Sequence, residues 1–136
     1  MDENSEQSAI QIPKEIRDLA KAIAYAEGFG KLGTVPTRAH NPGDIKVPSW
    51  TGEKTGEEGI TVFPDDETGW HYLYDELFLI KNGQSHVYNI EMTLEEFANK
   101  WTDTQSGDWL ANVLARLAGF GYHLDWATTL GEFFKV

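Results

Sequence analysis

The chain has 136 residues, 40% of them hydrophobic and 12% aromatic, which is enough apolar surface for one domain around its own core. Its 22 acids against 11 Lys and Arg give a formal charge of -11, a field that repels nucleic acid and anionic membranes, so neither is expected as a partner. The absence of cysteine excludes disulfides, thiolate zinc sites and a cysteine nucleophile, and leaves the redox compartment open.

Residues 1–11 open Met-Asp-Glu-Asn-Ser-Glu-Gln-Ser and read as a flexible lead-in, followed by a single domain over 12–136, expected as a monomer. The opening lacks the basic and apolar regions of a Sec signal, so if it is the native start, export by that route is not expected. No apolar run approaches the roughly 20 residues of a membrane span. From Pro13, the recurrence of Ile12, Ile16, Leu19 and Ile23 predicts a helix over about 13–27, stopped by Gly28 and Gly30. Seven glycines and three prolines between Gly28 and Gly59 leave only short apolar stretches, Asp44-Ile45-Lys46-Val47 and Gly59-Ile60-Thr61-Val62-Phe63. This region predicts a small β-rich lobe over about 33–63. Pro64-Asp65-Asp66-Glu67 then opens a second helix with the stripe Trp70, Leu73, Tyr74, Leu77 and Phe78. Thr93-Leu94-Glu95-Glu96 is a capping box before Phe97, Ala98 and Trp101. Leu110, Val113, Leu114 and Leu117 mark another helix, and Asp125 is expected to cap a short last one through Trp126 and Leu130. One long helix, a β-rich lobe and then helices make an α+β order.

Glu27 breaks the pattern of its own helix. At about 100° per residue it lies only about 20° from Ile16 and 40° from Ile23, whereas Asp18 falls on the opposite side. A carboxylate on the buried face loses hydration and sits at the negative end of the helix dipole, and both effects raise its pKa, as a general acid requires. The competing reading makes Glu27 a structural partner of Arg38 or Lys31, or frays it outward with the last turn.

Ala26-Glu27-Gly28-Phe29, the turn Arg38-Ala39-His40-Asn41-Pro42-Gly43-Asp44-Ile45, and Phe63 with Gly69-Trp70 together resemble a group of the lysozyme superfamily found among phage-associated lytic transglycosylases and related bacterial proteins. The likeness covers roughly residues 13–131; His40 departs from it, standing where Asn is common. It implies a lysozyme-like fold and cleavage of the glycan strands of peptidoglycan, as a muramidase or a lytic transglycosylase, with Glu27 as catalytic acid and no cofactor. A hydrolase would need a second carboxylate, Asp44 first and Asp65 or Asp66 after it; a transglycosylase would use the substrate's own C6 hydroxyl. Carriage by a phage or release on lysis would bring such a protein to the wall. The alternative is a non-catalytic glycan-binding or structural module, and the acidic charge, unlike that of most wall-lytic enzymes, favours it.

Asn41-Pro42-Gly43-Asp44 is a strong turn sequence that would hold Asn41 and Asp44 at the edge of the lobe, whether for substrate or as an ordinary Asx turn. Arg38 either binds a glycan carboxylate or neutralises nearby acids. Trp101 and Tyr88 suit either sugar stacking or the core, and Trp50 either presents its indole to a sugar or plugs the small lobe. His71 and Asp75, four apart, make a solvated pair better than a metal site, and no metal is expected. Glu3, Glu6, Glu15, Asp18, Glu53, Glu57, Glu58, Glu95 and Glu96 are expected away from any groove, in the tail, on solvent faces or at loop tips.

Overall fold

The computed structural model of the protein describes residues 12–47 and 59–135. Six helices occur among them in chain order: α1 (Lys14–Glu27), α2 (Val35–Arg38), α3 (Asp66–Lys81), α4 (Leu94–Trp101), α5 (Ser106–Gly119) and α6 (Leu130–Phe134). The lead-in 1–11, with Glu3 and Glu6, and the stretch 48–58, with Trp50, Glu53, Glu57 and Glu58, lie outside the described residues.

The first helix is the centre of the molecule. It packs most extensively on α5, then on α3, and touches α6. Ile16, Leu19, Ala20, Ala22 and Ile23 are completely buried, and the alanines keep the helix slim enough for neighbours on more than one side. Burying each of its Ile and Leu side chains contributes about 1.5–3 kcal/mol. The same encirclement corrects the reading of Asp18, which is buried. Lys14 Nζ at 2.7 Å and the Tyr122 hydroxyl at 3.0 Å both donate to its Oδ2, supplying the partners that a buried carboxylate requires. Glu15 is likewise engaged, with Lys81 of α3 at 3.2 Å.

Helix α3 starts where expected, with Asp65 as N-cap accepting from the Thr68 N–H at 2.8 Å and Asp66 and Glu67 in the first turn. Leu73, Leu77 and Ile80 give its core stripe, while Trp70, Tyr74 and Phe78 pack partly buried beside it. Helix α4 opens on the predicted capping box of Thr93 and Glu96. The last helix is capped differently from expectation: Thr129, not Asp125, is its N-cap, in a second capping box with Glu132. Asp125 instead accepts the Ala127 N–H at 2.9 Å in the turn before it. The two caps lie side by side, joined by an antiparallel bridge of Thr93 and Thr129 and by Leu94 N–H to Thr128 O and Leu130 N–H to Met92 O, both 2.8 Å.

The α+β, lysozyme-like architecture with a β-rich lobe over 33–63 is overturned: the described residues are 55% helix and 3% strand, with no sheet. Val35–Arg38 is a turn of helix with Thr34 as N-cap and a proline in its first turn, and the chain after it runs through further turns. The physical reasons are local. Pro36 and Pro42 remove donors that a ladder needs, and His40 (φ 53°) and Asp44 (φ 54°) sit in left-handed backbone that interrupts any extended run. One side chain supplies most of the links in place of a ladder, beside one backbone bond from the Thr61 N–H to Ile45 O at 3.2 Å and one from the Val47 N–H to the Thr61 hydroxyl at 2.7 Å. Asn41, fully buried, donates to Ile45 O at 2.8 Å and Thr61 O at 2.7 Å and accepts from the Ile45 N–H at 3.0 Å. It thereby ties the two stretches that were expected to pair as strands. Among the described residues no helix is long and apolar enough to cross a membrane.

Candidate active site

Three pieces of chain meet at the site. The first is the end of α1. Gly28 adopts φ 83°, a left-handed conformation available to glycine at little cost, so that its own N–H bonds Tyr25 O at 3.1 Å and the Phe29 N–H bonds Ala24 O at 3.0 Å. This Schellman closure ends the helix abruptly and leaves Glu27 as its last residue.

The second piece is the turn from Arg38 to Ile45, held from within by Asn41. The third is the start of α3, against which the turn packs with almost no space between the backbones. A Cβ on Gly69 would stand 2.0 Å from the His40 carbonyl oxygen and 2.8 Å from Pro42 Cδ, so this position admits only glycine. Beside this contact the His40 ring bonds Asp66 through Nδ1 at 2.8 Å, and Phe63 stacks on Tyr72 at 5.0 Å. Farther along, Tyr72, Asp75, Glu76 and Leu79, spaced at i, i+3, i+4 and i+7, turn one face of α3 towards an open cavity.

That cavity has a volume of about 850 Å³, and Glu27, Asp44, Tyr88 and Trp101 all line it. Four residues selected from the sequence are thus brought together. Glu27 is largely buried, and the Trp109 indole Nε1 donates to its Oε2 at 2.9 Å; neither Arg38 nor Lys31 is its partner. Burial pushes the Glu27 carboxyl up to about 7, the negative charge of Asp44 adds to the rise, and the hydrogen bond from Trp109 opposes it. Glu27 therefore exchanges its proton near neutral pH, as a group that both gives and takes a proton must.

The cavity is acidic. Among the described residues, five carboxylates (Glu27, Asp44, Asp75, Glu76 and Asp103) line it against two lysines, Lys46 and Lys100. Glu15, Asp18, Glu95 and Glu96, expected to stand away from a groove, are not on its wall, but four acids besides Glu27 are. Glu76 was missed because it reads as an ordinary polar position on the flank of α3. Only the mixed stripe with Tyr72 and Leu79 could have marked it. Burial raises its pKa, and burial together with the Glu76 charge pushes the Tyr88 hydroxyl up, which keeps it a hydrogen-bond donor.

The remaining selected residues stand elsewhere. Asn41 spends its side chain on the turn and is not on the cavity wall. Arg38 is exposed and donates through Nη1 to the Gly33 carbonyl, bracing the loop after α1. Asp65 caps α3 and Asp66 holds His40. Trp101 belongs to the core and to the cavity wall at once: its ring packs with Tyr88, Phe97 and Trp109, and its Nε1 donates to Gly43 O at 3.2 Å. His71 faces Glu67 at 4.0 Å rather than Asp75, and among the described residues no three His, Asp or Glu side chains are grouped so as to hold a metal ion. Comparison with models of protein families, with curated proteins and with solved structures finds no match to this chain.

Proposed function

We propose that this chain cleaves the glycan strands of bacterial peptidoglycan, with Glu27 as the general acid. The observation that carries the reading is a carboxyl at the wall of a cavity large enough for sugar rings, its pKa raised to about 7 by burial, with Asp44 on the facing turn. Support also comes from where the resembling segments lie. Glu27-Gly28, the Arg38–Ile45 turn and Gly69-Trp70 are separate in sequence, yet Glu27, Asp44 and Ile45 share the cavity and Gly69 carries the turn.

Glu27 gives its proton to the glycosidic oxygen as the C1–O bond breaks, both bonding electrons leaving with that oxygen and positive charge building on the sugar ring. Asp44 and Glu76, fixed in the same cavity, stabilise that charge. Glu27, now a carboxylate, takes a proton from whatever adds to C1. With water the outcome is hydrolysis; with the sugar's own C6 hydroxyl it is an anhydro end. Tyr88, Trp101, Leu79 and Val87 offer the apolar surface against which sugar faces stack.

Purified peptidoglycan incubated with the wild type is expected to release soluble muropeptides, whose masses distinguish the hydrated product from the one lighter by a water. Glu27→Gln, which keeps the volume and the acceptor for Trp109 but not the proton, should reduce release by about 10²- to 10⁴-fold. Binding without release by the wild type would instead establish a glycan-binding module. Undiminished release by Glu27→Gln would remove Glu27 from the acid role.

A further inference from the structure

Trp109 lies on α5 with 6% of its surface exposed, and a buried indole N–H needs an acceptor. A backbone carbonyl would satisfy it; the acceptor here is Oε2 of Glu27, 2.9 Å away on another helix. Its ring stacks on that of Trp101, with centroids 6.4 Å apart and planes 26° from parallel. The Trp101 indole in turn donates at 3.2 Å to the carbonyl of Gly43, the residue before Asp44. Two stacked indoles thus have one N–H on each of the two chain segments that carry Glu27 and Asp44.

We propose that Trp109 is the positioning residue for Glu27, fixing Oε2 as an acceptor so that the transferable proton is carried on Oε1, and that its stack on Trp101 sets the spacing between Glu27 and the Asp44 turn. The inference rests on the reading of Glu27 as the acid. An indole nitrogen only donates, and in a neutral carboxyl group the carbonyl oxygen accepts far better than the hydroxyl oxygen. The Trp109 bond therefore selects one of the two places a proton can occupy. It also restrains the side chain against rotation, so that proton transfer starts from one geometry rather than several. Among the described residues, the charged groups that share the cavity with this carboxyl are Asp44 on the turn, Asp75 and Glu76 of α3, Lys100 and Asp103 at and beyond the end of α4, and Lys46. Each acts through space, whereas Trp109 holds a named oxygen.

The first test uses the intact wild-type chain and needs no activity. The Trp109 indole N–H resonance, followed by NMR across pH 5 to 9, is expected to shift with a midpoint near the Glu27 value of about 7. In Glu27→Gln that shift should vanish. An indole resonance that does not respond to pH in the wild type overturns the inference, whatever any variant does. The second test is Trp109→Phe, checked for folding by circular dichroism. Loss of the donor should raise the Glu27 midpoint, move the alkaline limb of the pH–rate profile up with it, and lower kcat about 10- to 100-fold with KM within about twofold. A folded Trp109→Phe protein with an unmoved alkaline limb and unchanged kcat also overturns it. The glycan reading fails on the activity of Glu27→Gln and the positioning inference on the indole titration, so the two failures are told apart.

Discussion

The helical body and the turn beside it are stabilised in opposite ways. In the body, Ile16, Leu19, Ile23, Leu73, Leu77, Leu110 and Leu117 are all buried in one cluster, so that stability is spread over many interchangeable apolar contacts. In the segments 34–47 and 59–63, a few groups without substitutes hold the chain: the Asn41 amide, the bare face of Gly69, and two residues in left-handed backbone. The body tolerates change because no one contact decides its shape. The turn is specified atom by atom, and it is the turn that carries Asp44 to the cavity.

One substitution, made once where the turn packs on α3 and once on the open surface of α5, should separate the two modes of stabilisation most widely. Gly69→Ala drives a methyl group to 2.0 Å from the His40 carbonyl, and backbone cannot yield as a flexible side chain would. The expected cost is roughly 4 kcal/mol or more, read as a collapse of the thermal midpoint. Gly119→Ala, in the last turn of α5 where the added methyl meets nothing within 4 Å, should instead stabilise by about 0.5 kcal/mol. Equal small effects at the two glycines would erase the contrast.

Removing the Asn41 amide tests the same idea through hydrogen bonding. Asn41→Ala strands the Ile45 N–H and the Thr61 carbonyl and leaves the Ile45 carbonyl with the Thr61 N–H alone, at a cost of about 3 kcal/mol by chemical denaturation. Muropeptide release should fall by more than the folded fraction does, because Asp44 loses its support. Activity that follows the folded fraction alone would show that the turn is scaffold only.

The site itself should cost stability as pH rises through a narrow range. Below pH 4.5 the Glu27 carboxyl is protonated in both folded and unfolded chains. Between 4.5 and about 7 only the folded chain retains the proton, so the stability linked to it is lost as pH rises, and the loss is complete above 7. The full effect is on the order of 2–3 kcal/mol. Glu27→Gln should therefore match the wild type at pH 4 and exceed it in stability by up to that amount at pH 8. Thermal midpoints that differ equally at the two pH values would contradict the buried-acid assignment.

The helical body is legible in the sequence because one period dominates there. The helices that bury Ile16, Leu73, Phe97 and Leu110 follow from 3.6-residue spacing, and Val113 and Leu117 continue the buried stripe of α5. The meeting of Glu27 with Asp44 follows from a helix stop and a proline-glycine turn. What periodicity could not show was decided by partners distant in sequence. Asp18 reads as a solvent position until Tyr122 and Lys14 close over it. Trp109 goes unmarked in the sequence, because its acceptor lies 82 residues away. The expected strands failed because the Asn41 and Thr61 side chains, with a single backbone bond from Thr61 to Ile45, meet the hydrogen-bonding needs of the two segments without a ladder, and no propensity registers that substitution.

The paired capping boxes of α4 and α6 have a consequence for how the molecule opens. Helix ends ordinarily fray one at a time, each releasing its first amides to solvent at little cost. Here the Leu94 and Leu130 amides bond across the bridge of Thr93 and Thr129, so neither end can loosen without breaking the other's contacts. The two termini form a clasp that fastens α6 to the start of α4, and their amides are expected to exchange with solvent together.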